Sequence, residues 1–128
     1  MQFVSKKIIL GGAFIVVIFF VMSCKHKPNF GSFPVVYYSS DIAPIISGNC
    51  TFSGCHGSID SKKFKLSTYD DLMKYCDVEA YSPWSSKLYS IIKSQNEDDI
   101  MPRKPYSQLT EKQMQLIYVW IGQGAKNN

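Results

Sequence analysis

The sequence is poor in strand-like alternation and has no internal repeat or low-complexity tract, so its regular structure is expected to be helical and non-repetitive. It contains no Ser-His-Asp arrangement, no glycine-rich phosphate loop and no paired carboxylates with a cleft to hold them, which removes the common hydrolytic and nucleotide-dependent chemistries. Charge of either sign is sparse. The formal net charge is +4, and the acidic run Glu97–Asp99 is offset by Arg103 and Lys104. No stripe of lysine and arginine interleaves with aromatics, which counts against nucleic acid as a partner. Histidine is rarer still, with only His26 and His56 in 128 residues.

A long membrane-spanning run is also missing. Lys6 and Lys7 precede an uncharged stretch from Ile8 to Met22, followed by Ser23 and Cys24. As a helix this stretch would cover roughly 22 Å, short of a ~30 Å hydrocarbon core, so it reads as a secretory signal peptide, with an uncleaved transmembrane anchor as the alternative. The residues "VMSC" resemble a bacterial lipoprotein cleavage box. That resemblance implies a signal peptide over 1–23, a lipidated Cys24 at the mature N-terminus, and an exported, membrane-anchored protein facing the periplasm or the cell surface. Export favours disulfides or covalently occupied thiols over free ones. With Cys24 used, Cys50, Cys55 and Cys76 remain, an odd number.

Residues 24–38, with Pro28, Gly31 and Pro34 and no helical period, are expected to form a tether that stands the domain off the membrane. The domain itself should occupy 39–128. A first helix is predicted after Ser40 or Asp41, with Ile42, Ile45 and Ile46 on one face and Pro44 tolerated in the first turn. A second should start at Ser67 or Thr68, with Asp70 and Asp71 in its donor-rich first turn. A third is predicted from the cap-then-proline pair Ser82-Pro83, burying Leu88, Ile91 and Ile92. The last is the clearest. Thr110 and Gln113 form a capping-box pattern. Met114, Ile117, Tyr118 and Ile121 share a face widened by Leu116 and Trp120, and Gly122 and Gly124 end the helix. Its stripe should pack on the first helix. About 90 residues of short helices and long loops bury only ~60% of their unfolded surface, so part of the core is expected to come from something other than aliphatic packing.

The densest chemistry lies in "NCTFSGCHG", Asn49 to Gly57. Covalent haem attachment uses two thiols and a histidine directly after the second, usually as Cys-x-x-Cys-His. Here the spacing is Cys50-x-x-x-x-Cys55-His56, with Ser53 and Gly54 able to let the longer loop bulge. Two other readings stand beside this one. Cys50 and Cys55 could close a small disulfide loop in a structural lipoprotein. Cys50, Cys55, His56 and Cys76 compose a formal Cys₃His zinc set, although adjacent Cys55 and His56 would strain to reach one ion.

"SGCHG", the later "IMPRKP" and the ending "LTEKQMQLIYVWIGQGAKN" together resemble the single-haem cytochrome c-like domains of bacterial envelope proteins. The resemblance spans roughly Ser40 to Lys126. It implies a small all-α cytochrome c-like fold of three to five short helices holding one covalent haem c. Cys50 and Cys55 would then be the thioether positions, His56 the proximal iron ligand and Met101 the distal one. Arg103 stands where the family often has a second proline. The implied role is single-electron transfer with redox partner proteins at the membrane and not catalysis, with peroxidase-like activity only if the distal position were open. On this reading Cys76 is a buried small residue, Met73 and Met114 fill gaps from helix faces, and Trp84 and Trp120 line the core and the haem pocket.

Overall fold

The computed structural model of the protein describes residues 28–57 and 64–128. The expected signal peptide, Cys24 and His26 lie outside the described residues. Within them every regular element is helical and no strand forms, so the fold is all-α. No helix among the described residues is long and apolar enough to cross a membrane.

A 3₁₀ turn, Phe30–Ser32, is capped by the Asn29 side chain, which accepts from the Gly31 N–H at 3.1 Å. A π-helical turn over Tyr38–Ile42 then runs into α1, Ala43–Asn49, with Pro44 in the first turn. Asp41 reaches back to accept from the Tyr37 N–H at 2.7 Å, so the helical path starts slightly earlier than Ser40. Helix α2, Tyr69–Tyr75, starts after Thr68 as predicted and closes with a capping box, Thr68 and Asp71 satisfying each other's backbone N–H groups. Helix α4, Glu111–Gly122, has the same device in Thr110 and Gln113.

Helix α3 departs from expectation. It spans Lys87–Ile92, with Ser86 and not Ser82 at its N-cap. Residues 82–86 form successive turns instead, the Ser85 and Ser86 N–H groups both donating to the Ser82 carbonyl at 3.1 Å. The fully buried Ser86 hydroxyl accepts from the Glu79 N–H at 2.9 Å and lies 3.0 Å from the Ser82 carbonyl. Local side-chain bonding thus offers the backbone an alternative to helix over this stretch.

The core lies where α4 crosses the π-helical turn and α3. Ile42, Ile117 and Ile121 are fully buried there, and the Trp120 indole packs 5.8 Å from the Tyr38 ring. Burying each such isoleucine contributes about 1.5–3 kcal/mol. The Trp120 Nε1–H donates to the Lys126 carbonyl at 2.9 Å, tying down the chain after the helix. The last helix therefore meets the first one at its N-terminal turn.

The segment expected to be a free tether is, from Phe30 onward, part of this body. Gln123 at the end of α4 holds it from both sides of its amide. Its Oε1 accepts from the Val36 N–H at 2.9 Å, and its Nε2 donates to the Pro34 carbonyl at 2.9 Å. Val36 is buried, and the Phe30 ring lies where a side chain on Gly122 would sit, 2.2 Å from an ideal Cβ. Apolar residues at Phe30, Val36 and Tyr38 find partners on α4, so the boundary expected near Ser39 moves forward to about Asn29.

Candidate functional site

Helix α1 delivers the chain to Cys50, whose N–H still donates to the Ile46 carbonyl at 2.8 Å. Thr51 Oγ1 donates to the Ser47 carbonyl at 2.7 Å, satisfying an acceptor that the helix end would otherwise strand, and Asn49 Nδ2 donates to the Ile45 carbonyl at 2.7 Å. The next residues close on themselves. Cys55 N–H donates to the Phe52 carbonyl at 2.9 Å, and His56 N–H to the Cys50 carbonyl at 3.1 Å. Gly54 takes the bend with φ 78°, a left-handed value that suits glycine. Gly57 has no room for any side chain, because a Cβ there would lie 1.8 Å from the Thr51 carbonyl oxygen. The four residues between the cysteines are absorbed in this turn, and the backbone of Cys50 ends against that of His56.

The His56 ring is oriented by its surroundings. Nδ1 lies 3.0 Å from the Phe64 carbonyl oxygen, and a carbonyl can only accept, so Nδ1 bears the proton. That leaves the Nε2 lone pair free to act as a ligand, the arrangement in which metal-binding histidines are usually held. The Phe64 ring stacks on the imidazole at 4.5 Å, and Tyr75 stacks on Phe64 at 5.0 Å, so the imidazole is fixed in plane as well as in tautomer.

Facing this loop is the segment after α3. Met101 N–H donates to the Ile91 carbonyl at 3.1 Å, hanging the loop from the end of α3. Pro102 is buried, and its carbonyl accepts from Gln108 Nε2. Arg103 donates to the Asp98 carbonyl at 2.6 Å, and Lys104 pairs with Glu97. The two loops touch through Phe52 and Tyr106, which stack at 4.7 Å with only 9° between their planes.

Between the loops lies a cavity of about 710 Å³. Cys50, Cys55, His56 and Met101, the four residues singled out from the sequence, all line it. Phe64, Pro102 and Tyr106 add apolar wall, with Arg103 and Lys104 also bordering the cavity. Phe64 and Tyr106 were not foreseen in this role. They carry no local pattern, and only the pairing of the two loops brings them in. Trp84 and Trp120 do not line the cavity. Trp120 is core, and Trp84 is largely exposed.

Cys50, Cys55 and Cys76 are free thiols. Burial, reinforced by the neighbouring Cys55, pushes the Cys50 thiol up to about 11. Burial, with Cys50 nearby, pushes Cys76 up to about 12. Both are therefore neutral at physiological pH. Cys76 caps the end of α2 inside the apolar cluster and does not border the cavity, in keeping with a small buried residue. Among the described residues no three His, Cys, Asp or Glu side chains gather closely enough to hold a metal ion. The formal Cys₃His zinc set is accordingly not assembled by this fold. Met73 and Met114 pack half-buried against the core, as gap-fillers do.

Comparison with protein-family models, curated proteins and solved structures finds no match to this chain.

Proposed function

We propose that this chain is a lipid-anchored cytochrome of the c type, holding one covalent haem between the Cys50–Gly57 loop and the Met101 loop and exchanging single electrons with partners at the same membrane. The observation that carries this reading is the convergence of two thiols, one imidazole and one thioether on a single cavity. A volume of about 710 Å³ falls within the ~300–1,000 Å³ span of cofactor and ligand pockets. When bound, haem supplies a reversible one-electron couple that the side chains themselves lack.

The chain's own residues divide the work of holding it. Cys55 and Cys50 offer thiols for thioether bonds, with Cys55 directly preceding the ligand. His56 presents Nε2, its other nitrogen being committed to the Phe64 carbonyl. Met101 offers a soft sulfur from a segment hung on α3 and stiffened by Pro102 and Pro105 just after it. A His/Met pair raises reduction potential and leaves no open position, which suits electron transfer over oxygen chemistry. Arg103 provides positive charge beside the cavity for the carboxylates of such a macrocycle. A lipid on Cys24 would raise the effective concentration of partners confined to the same surface.

The test is intact mass and reduced absorption spectrum of full-length protein made with a cytochrome c maturation system. A mass gain of one haem surviving denaturation supports the proposal. Colourless, folded protein from a host competent in haem attachment overturns it. Met101→Ala then decides the distal ligand, since loss of a bound thioether converts the iron to high spin, whereas an unchanged spectrum means that Met101 is not bound.

A further inference from the structure

Four large side chains with little burial surround the docked N-terminal segment. Val35 is 61% exposed, Tyr81 69%, Trp84 65% and Phe33 38%. They belong to one surface. Phe33, Val35 and Tyr81 border a shared shallow cavity with Phe30, and Trp84 joins it through Tyr118, whose ring packs 5.3 Å from Phe30 and 5.8 Å from Trp84. Contiguous apolar exposure of this kind marks an interaction surface more often than scattered single residues do. The backbone works to maintain it. Tyr81 has φ 66°, costly for a bulky residue, and is held there by its N–H donating to the Ile121 carbonyl at 2.8 Å.

The composition favours a lipid surface. Tryptophan and tyrosine concentrate at membrane–water boundaries, where their rings are apolar and their polar atoms reach water. Lys93 Nζ sits 4.6 Å over the Trp84 ring, and Lys126 borders the shallow cavity beside Tyr81, placing cations where anionic headgroups would meet them. Connectivity adds an independent constraint. Because the chain is docked from Phe30 onward, the six steps from Cys24 to Phe30 allow a reach of at most about 22 Å at about 3.6 Å each. A lipid on Cys24 would therefore tether the surface that includes Phe30, Phe33, Val35 and Tyr81 within that distance of the bilayer.

We infer that the surface formed by Phe33, Val35, Tyr81 and Trp84 rests in the headgroup region of the membrane that carries the Cys24 lipid, so that the domain lies on the bilayer instead of standing off it. This rests on the anchor in the reading above but not on the haem.

The experiment uses the full-length lipidated protein in phosphatidylcholine–phosphatidylglycerol vesicles containing a lipid with a photoactivatable diazirine in its acyl chain near the headgroup. After irradiation, lipid adducts are mapped by peptide mass spectrometry, and intact mass reports acylation and haem separately. Adducts several-fold enriched on peptides carrying Phe33, Val35, Tyr81 and Trp84, relative to the Cys50–Gly57 loop and α2, support the inference. The double variant Val35→Glu/Trp84→Glu should stay vesicle-bound through its lipid while losing those adducts. Acylated protein labelled only next to Cys24, or equally on all faces, overturns the docking surface and leaves the anchor standing. Protein without acyl chains overturns both, whatever its haem content.

Discussion

Gln123 offers the most direct test of whether the N-terminal segment belongs to the folded body. Its amide makes two good hydrogen bonds, from the Val36 N–H and to the Pro34 carbonyl, both at 2.9 Å, with the Phe30 carbonyl a longer third at 3.3 Å. Gln123→Ala removes all of them and leaves the N–H of buried Val36 without a partner. A net hydrogen bond contributes about 1 kcal/mol and an orphaned buried donor costs about 1–3 kcal/mol, so the loss should total about 2–3 kcal/mol. For a domain of this size that lowers Tm by roughly 10–20 °C. Gln123→Glu separates the two halves of the amide. Its carboxylate can still accept from Val36 but turns negative charge towards the Phe30, Phe33 and Pro34 carbonyl oxygens. Burying that charge against acceptors raises the pKa of the introduced carboxyl in the folded state above its unfolded value. The variant is accordingly most stable below the unfolded pKa, where the protonated acid can donate, and weakens as pH rises through the folded one. The Ala variant should show no such recovery on acidification. Thermal unfolding by circular dichroism, together with hydrogen exchange at the Val36 amide, measures both effects. A Gln123→Ala protein within about 0.5 kcal/mol of wild type, the range of neutral surface changes, with Val36 exchange unaltered, refutes the docking of this segment.

Gly57→Ala should cost about 2–4 kcal/mol and depress haem incorporation. The new methyl overlaps the Thr51 carbonyl at 1.8 Å, so the loop must open and lose the His56–Cys50 backbone bond; unfolding midpoints check it. In haem-free protein at pH 8, alkylation of Cys50 and Cys76 should be slower than in urea by about two and three orders of magnitude, because only thiolates react. The same raised pKa values make the haem-free fold lose stability as pH rises from the unfolded thiol value near 8.5 through about 11 for Cys50 and about 12 for Cys76, which a pH series of urea melts would detect. Phe64→Ala removes the ring stacked on His56 while sparing the backbone carbonyl that holds Nδ1. The expected outcome is a bound but heterogeneous histidine ligand, seen as broadened low-spin signals in electron paramagnetic resonance.

Helix caps and faces were legible residue by residue because they depend on near neighbours. The Thr110–Gln113 capping box forms as its spacing predicts, and the second helix starts at the predicted Thr68, with Asp71 completing a second reciprocal pair. The buried isoleucines at 42, 45, 46, 117 and 121 follow from period alone. The start of α3 was misjudged because the decisive partner of Ser86 is Glu79, outside the local window of a cap-and-proline rule. The tether was misjudged for a similar reason. Pro28, Gly31 and Pro34 do prevent a regular helix, but irregular backbone can still be ordered when a distant amide satisfies it.

The sequence by itself determined that the described body is helical and where its best helices begin, since residue type and short spacing settle these through local hydrogen bonding and hydrophobic period. Only the tertiary structure decided that Met101 and His56 line one cavity, that the Phe64 carbonyl sets the imidazole's tautomer, and that the N-terminal segment packs on α4. Each of these is a contact between residues far apart in the chain, and such contacts are selected by packing of the whole core and not by any pattern within a single stretch.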